Sequence, residues 1–189
     1  MAYRPVAALK KLIHSTLRRY GYAITRPTYG IHDDAFDAQR FLLGQRDVRV
    51  IFDVGSNLGQ TALKYTATFP ASVIYAFEPD RNAYADLARR TAGVAMIKPR
   101  NLAVSAESGT ATLHVNVRSS TNSLFETSSQ AGRFVAAELM EERSTVEVKT
   151  VTLADFCKDE RIDQVDILKV DVQGAELMVL QGEIGRAHV

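Results

Sequence analysis

Short apolar runs alternate with stretches of helical periodicity over most of the chain. Three runs predict buried parallel strands, at VRVIFDV (48–54), SVIYAF (72–77) and VDILKV (165–170). Helical spacing follows the first two runs. Asp80 and Gly93 are placed to begin and end the helix that follows the run at 72–77. Strands that alternate with helices of about 10–15 residues predict βαβ units. The expected fold class is therefore a doubly wound, mainly parallel α/β sheet.

The middle of the chain departs from this alternation. TATLHVNV (110–117) alternates apolar and polar residues, as a half-buried strand does, and the turn before it predicts a hairpin with LAVS (102–105). TVEVKTV (145–151) predicts a further strand. Thr152 and Asp155 then form a capping-box pattern that begins a short helix.

The amino-terminal segment has an uneven charge. No acidic residue precedes Asp33, whereas six basic residues do, and apolar residues recur among them at helical spacing. This pattern predicts a basic amphipathic helix, followed by a second helix over residues 33–45. Two interpretations stay open: a solvated helix packed on the domain, or a helix resting on an acidic membrane surface or partner. We divide the chain into a basic helical segment, 1–45, and a cofactor-binding domain, 46–189.

Composition narrows the class of protein further. The formal net charge is +1, which gives no global attraction to nucleic acid. No run approaches the roughly 18 apolar residues of a membrane span, and no secretory signal is recognisable. The single cysteine, Cys157, excludes a disulfide scaffold and fits a reducing compartment. We therefore expect a cytoplasmic protein without a nucleic-acid partner.

The turn after the first predicted strand, in IFDVGSNLGQT, carries the sharpest chemical pattern. Asp53 ends the strand, and Gly55 and Gly59 let the backbone approach a ligand at the strand end where α/β sheets bind ligands. The start of the next helix is expected to offer free N–H groups to a carboxylate or phosphate. Glu78 ends the second strand, where a carboxylate accepts hydrogen bonds from ribose hydroxyls, and Pro79 follows it.

The spacing of these residues distinguishes two classes of cofactor. The glycines follow G-x-x-x-G rather than the dinucleotide pattern G-x-G-x-x-G. The Asp53 carboxylate would repel a pyrophosphate, but it suits the ammonium and sulfonium end of S-adenosylmethionine. The turn therefore favours a methionine-based cofactor.

A second strand end repeats this arrangement in VDILKVDVQGAELMVLQG (165–182). Asp171 follows the strand, Gly174 makes the turn and Glu176 opens a helix. An acid here is expected beside the first turn, near a reactive centre. The structural alternative is that Asp171 caps the helix and Glu176 complements its dipole. We favour a site role for Asp171, and for Glu176 both interpretations stay open.

Together these motifs resemble the FkbM-type methyltransferase family. The matching pieces, in the family's order, are FDVGSNLGQ, AFEPD, NLAVSAESGTATLHV, the STNSLFE loop, VTLADF and VDILKVDVQGAELMVLQG. The resemblance implies a seven-stranded Rossmann-like fold, S-adenosylmethionine as cofactor, and O-methylation of a hydroxyl on a sugar or secondary-metabolite acceptor. It implies a cofactor site at Asp53, Gly55, Asn57, Gly59, Glu78 and Pro79, with Asn101 and Ala103 near the adenine or the sugar, and a methyl-transfer centre at Ser123 and Asp171.

The implied reaction needs a group that takes a proton from the acceptor hydroxyl. Asp171 is the first candidate, as base or as orienting acceptor, ahead of His114 and His32. No metal-ligand spacing such as H-x-x-x-H or C-x-x-C occurs, so no metal is predicted. A divalent ion held by Asp171 and Glu176 is the alternative.

The carboxyl end departs from the family pattern, which continues beyond VLQG with further strands. Here EIGRAHV follows, so we expect a sheet that is incomplete at its carboxyl-terminal edge. An open apolar edge favours self-association, and a homo-oligomer is the corresponding expectation. Two other functions stay open. One is a nicotinamide-dependent Rossmann oxidoreductase, against which Asp53 and the glycine spacing count, and the other is a non-catalytic fragment acting as a binding module.

Overall fold

The structure is a computed structural model that describes residues 34–116, 124 and 142–182. The predicted basic helix, His32, Ser123 and the EIGRAHV segment lie outside these residues. The chain divides into two compact units, Met1–Gly44 and Gln45–Val189.

The described part of the first unit is a single helix, α1 (Ala35–Leu43), within the range predicted for the second helix. It begins because the Asp34 side chain accepts a hydrogen bond from the N–H of Phe36. It ends at Gly44, whose φ of 57° is the left-handed conformation that glycine adopts readily. No helix of the described residues is long and apolar enough to cross a membrane.

The second unit alternates strands with helices, as the hydrophobic pattern predicts. In chain order its elements are β1 (Val50–Val54), α2 (Gln60–Thr68), β2 (Val73–Phe77), α3 (Arg81–Thr91), β3 (Ile97–Arg100), β4 (Ala103–Val104), β5 (Gly109–Asn116), β6 (Glu142–Val151), α4 (Leu153–Glu160), β7 (Ile167–Val170) and α5 (Glu176–Gln181).

Four of these strands form a parallel sheet in the order β3-β2-β1-β7. The chain runs outward from β1 to β3 and then returns to place β7 on the other side of β1. This reversal makes a topological switch point between β1 and β7, and open α/β sheets bind ligands in the crevice at such a point. The predicted Rossmann-like α/β class is therefore confirmed, and β7 is one edge of this sheet in the described part of the chain.

The other three strands form a smaller sheet in the order β4-β6-β5. β6 pairs antiparallel with β5 and parallel with β4. The predicted hairpin between residues 102–105 and β5 is therefore wrong, because β6 lies between them. The reason is length: β6 has 10 residues and pairs along the 8 residues of β5, whereas β4 has only 2 residues to offer.

An aromatic cluster holds α4 against the parallel sheet. Phe156 packs edge-to-face against Phe52, Tyr75 and Phe77, with ring centroids 4.8 to 5.7 Å apart. Phe52 and Phe77 are fully buried, so the cluster lies in the core. The helix begins at the predicted cap, where Thr152 Oγ1 accepts the N–H of Asp155 at 3.0 Å. The cluster and the cap together fix the route of the chain from β6 to β7.

Candidate cofactor site

The glycine turn, residues 55–59, connects β1 to α2. Several of its backbone N–H groups donate hydrogen bonds to other residues of the chain. The N–H groups of Gly55 and Ser56 both donate to the carbonyl oxygen of Phe77, at 3.1 and 2.9 Å. The N–H of Asn57 donates to Glu78 Oε2 at 2.8 Å. These three N–H groups are therefore used within the chain. The expectation of free N–H groups at the start of the next helix stays a prediction. A ligand carboxylate would meet the first turn of α2, where backbone donors lack intrahelical partners.

The two glycines of this turn serve different contacts. Gly55 has a φ of 78°, and a Cβ there would overlap the backbone carbonyl oxygen of Asp171. Gly59 has a φ of 83°, and a Cβ there would lie 2.6 Å from Leu87 Cδ1. Gly55 thus lets the glycine turn touch the chain after β7, at the switch point. Gly59 lets α2 pack against α3.

Glu78 links the glycine turn to the start of α3. Its side chain is buried, and its Oε1 accepts the N–H of Asp80 at 3.0 Å while Oε2 accepts that of Asn57. Burial raises the pKa of Glu78 to about 7, although the two backbone N–H groups oppose this rise. A carboxylate has about four lone-pair sites, so two remain for hydroxyl donors such as those of a ribose.

Asp53 is the most deeply buried acid of the site. Its exposed fraction is 0 %, and burial raises its pKa above the ordinary value, against the opposing effect of Lys169. The Lys169 ammonium lies 3.0 Å from Asp53 Oδ1 as an ion pair. Neither Asp53 oxygen has a hydrogen-bond donor of good geometry among the described residues. A buried carboxylate with unused acceptor capacity fits a ligand that brings a cationic or N–H group.

Lys169 is the site residue that the sequence motifs missed. It lies directly beside Asp53 in the register of β1 and β7, and its Nζ also donates to the carbonyl oxygen of Gly55 at 2.9 Å. The sequence analysis pairs the Asp53 carboxylate with the ammonium and sulfonium end of the cofactor. In the structure, the Lys169 ammonium supplies part of that positive charge. The available signal was a lysine within the apolar run of β7, since a charged residue in a buried strand needs a partner.

The two acids after β7, Asp171 and Glu176, make different hydrogen bonds. Asp171 Oδ1 accepts the side-chain amide of Gln173 at 2.9 Å, while Ala175 occupies the N-cap position of α5, so Asp171 is not a helix cap. Glu176 instead turns back to accept the N–H of Gly174 at 3.0 Å and that of Val172 at 3.3 Å. For Glu176 this geometry favours the structural interpretation.

The remaining cofactor-site predictions fall at two adjoining cavities. A cavity of about 50 Å³ is lined in part by Gly55, Pro79, Ala103 and Asp171. A larger cavity of about 730 Å³ is lined in part by Pro79 and Asn101. The small cavity has room for only one or two water molecules, whereas the larger one falls in the size range of ligand pockets. Pro79 borders both.

Asn101 ties the end of β3 to the end of β2. Its side-chain amide donates to the carbonyl oxygens of Glu78 and Pro79, at 2.9 Å each. Asn101 thereby fixes the backbone that carries the Glu78 carboxylate.

His114 lines neither cavity, and His32 lies outside the described residues. His114 lies on β5 opposite Thr145, in the smaller sheet. Among the described residues, no three His, Cys, Asp or Glu side chains converge as metal ligands. The absence of a metal stays a prediction.

The switch-point crevice, the glycine turn and the buried acid after β2 are features of the Rossmann-like α/β fold, a fold whose members bind nucleotides at such a crevice. The chain belongs to the family of the methyltransferase FkbM domain, whose model matches residues 53–187. The resemblance noted in the motifs is thereby confirmed.

Several individual proteins are similar to parts of this chain. Methyltransferase sdnD of Sordaria araneosa is 30 % identical over 70 % of this chain and 59 % of its own length. The 2-O-methyltransferase NoeI of Sinorhizobium fredii is 25 % identical over 90 % of this chain and 70 % of its own. A solved coclaurine N-methyltransferase, bound to N-methylheliamine and SAH, covers 53 % of this chain and 50 % of its own at 12 % identity, with a TM-score of 0.31. The chain thus spans about 59 % of the length of sdnD.

Proposed function

We propose that the protein is an S-adenosylmethionine-dependent methyltransferase that acts on a hydroxyl of a small-molecule acceptor, a sugar or a secondary metabolite. Residues 46–189 would form its cofactor-binding domain. In this proposal Asp53, Gly55, Asn57, Glu78 and Pro79 hold the cofactor, which supplies an electrophilic methyl group when bound.

The observation that carries the choice of cofactor is the closed glycine turn. A dinucleotide site needs backbone N–H groups aimed at a pyrophosphate. Here the N–H groups of Gly55, Ser56 and Asn57 are used within the chain, and two buried carboxylates, Asp53 and Glu78, border the turn. A phosphate at the glycine turn would meet acids instead of donors, whereas hydroxyl and ammonium groups there would find acceptors.

The acceptor side of the proposal rests on Asp171. Its side chain is 57 % exposed and borders the small cavity beside Gly55, at the switch point. There the carboxylate would accept the acceptor's hydroxyl proton or orient that hydroxyl for in-line attack. The relative NoeI carries the name 2-O-methyltransferase, which supports a hydroxyl acceptor.

Calorimetric titration of the chain with S-adenosylhomocysteine tests the cofactor. We expect one binding site per chain for S-adenosylhomocysteine and none for NADH. Glu78→Ala should abolish the heat of binding, because it removes the acceptor for both ribose hydroxyls. A folded chain that binds NADH, or that binds neither compound, would exclude the proposal.

A further inference from the structure

Lys169 joins the two halves of the switch point. Its side chain is only 20 % exposed and lies between two carboxylates, with Nζ 3.0 Å from Asp53 Oδ1 and 3.7 Å from Asp171 Oδ2. The same atom donates to the carbonyl oxygen of Gly55 at 2.9 Å. One ammonium therefore contacts the end of β1, the glycine turn and the chain after β7.

The charge of Asp53 needs this ammonium. A fully buried carboxylate without a cation loses its proton only at a large cost in free energy. Lys169 is the cation that the described residues bring to Asp53, while Asp171 adds a second negative charge.

The contact with Gly55 adds a geometric role. The N–H of Asp171 donates to the carbonyl oxygen of Val54 at 3.0 Å, and Gly55 touches the backbone of Asp171. The hydrogen bond from Lys169 Nζ to the Gly55 carbonyl oxygen adds a side-chain contact to these backbone contacts. Together they hold the glycine turn against β7.

We propose that Lys169 is a positioning residue of the cofactor site, which supplies the counter-charge of Asp53 and fastens the Gly55 carbonyl to β7. This proposal rests on the proposed function. Lys169 acts through Asp53 and Gly55, and it is not the base of the reaction, since its ammonium is committed to three acceptors.

The test compares Lys169→Met with Lys169→Arg by calorimetric titration with S-adenosylhomocysteine from pH 6 to pH 9. We expect Lys169→Met to bind at least tenfold more weakly than the wild type at each pH, because Asp53 has then lost its counter-charge. Lys169→Arg keeps the charge and should bind within threefold of the wild type, with the wild-type pH profile. Lys158→Met, at an exposed site on α4, is the matched control and should bind as the wild type.

The outcomes separate the two proposals. A wild type that does not bind S-adenosylhomocysteine excludes the proposed function. A wild type that binds, with a folded Lys169→Met that binds equally well at every pH, overturns the role of Lys169. If Lys169→Met does not fold, the double variant Asp53→Asn with Lys169→Met removes both buried charges. We expect it to fold and bind at least tenfold more weakly, and wild-type affinity in that variant would also overturn the role.

Discussion

Gly55 packs against the backbone carbonyl of Asp171 so closely that no side chain fits between them. This contact joins the glycine turn to the chain after β7 at the switch point of the sheet. The two residues are more than a hundred positions apart in the sequence, and the expectation that Asp171 lies beside the first turn is confirmed. The contact therefore couples the end of β1 to the end of β7.

Gly55→Ala should destabilise this junction. The new Cβ overlaps the Asp171 carbonyl, and the positive φ adds strain, so we expect the free energy of unfolding to fall by about 3 kcal/mol. Urea unfolding measures the change. Gly93→Ala is the control, because a Cβ there meets nothing within 4 Å, and it should change stability by less than about 0.5 kcal/mol. Equal stability of the two variants would contradict the close contact.

Glu78 should make stability and cofactor affinity depend on pH in opposite directions. Its pKa is raised from 4.5 to about 7, so the folded chain holds a proton that the unfolded chain has lost. Its contribution to stability is therefore present below pH 4.5 and decreases, by about 3 kcal/mol, as the pH rises to about 7. Unfolding by urea at pH 5 and pH 8 measures this decrease, and Glu78→Gln should flatten it.

Binding of S-adenosylhomocysteine should strengthen with pH over the same range. Ribose hydroxyls donate to the ionised carboxylate, so we expect affinity to rise severalfold between pH 6 and pH 8, with proton release on binding below the pKa of about 7. Titrations in two buffers of different ionisation enthalpy count the released protons. Affinity that is constant across this range would exclude Glu78 as the titrating acceptor.

Asp171→Asn should separate catalysis from cofactor binding. The carboxylate borders the small cavity but is not needed to close the glycine turn, so affinity for S-adenosylhomocysteine should stay within about threefold. Transfer of a labelled methyl group to hydroxyl acceptors should fall by roughly 10²-fold or more if Asp171 takes the proton. Asp159→Asn, at an exposed position of α4, is the control. Retained turnover would remove Asp171 from the catalytic role.

Asn101→Asp should loosen the backbone that carries Glu78. The substitution keeps the shape of the side chain but replaces the amide that donates to two carbonyl oxygens by an acceptor. We expect a loss of about 2 kcal/mol in the free energy of unfolding, together with weaker binding of S-adenosylhomocysteine. Asn82→Asp, at an exposed position in the first turn of α3, is the matched control for stability. Wild-type stability and binding in Asn101→Asp would show that these two hydrogen bonds are not needed.

Much of this site was predictable because strand ends are visible in the sequence. The apolar runs place Asp53 near the carboxyl end of β1, and Glu78 and Asp171 directly after β2 and β7. Parallel strands bring such residues to one edge of a sheet. The caps at Asp80 and Thr152 were equally visible, since capping depends on residues within three positions of each other.

The sequence by itself determined the order of strands and helices, the glycines with positive φ at the first turn, and the family to which the chain belongs. These features depend on residues close together in the chain. Only the tertiary structure decided that β6 separates β4 from β5, that the glycine turn uses its own N–H groups, and that Lys169 faces Asp53. Each of these contacts joins segments far apart in the sequence. The partner that a segment takes in such a contact depends on strand length, burial and the need to pair every buried polar group. Local periodicity encodes none of these.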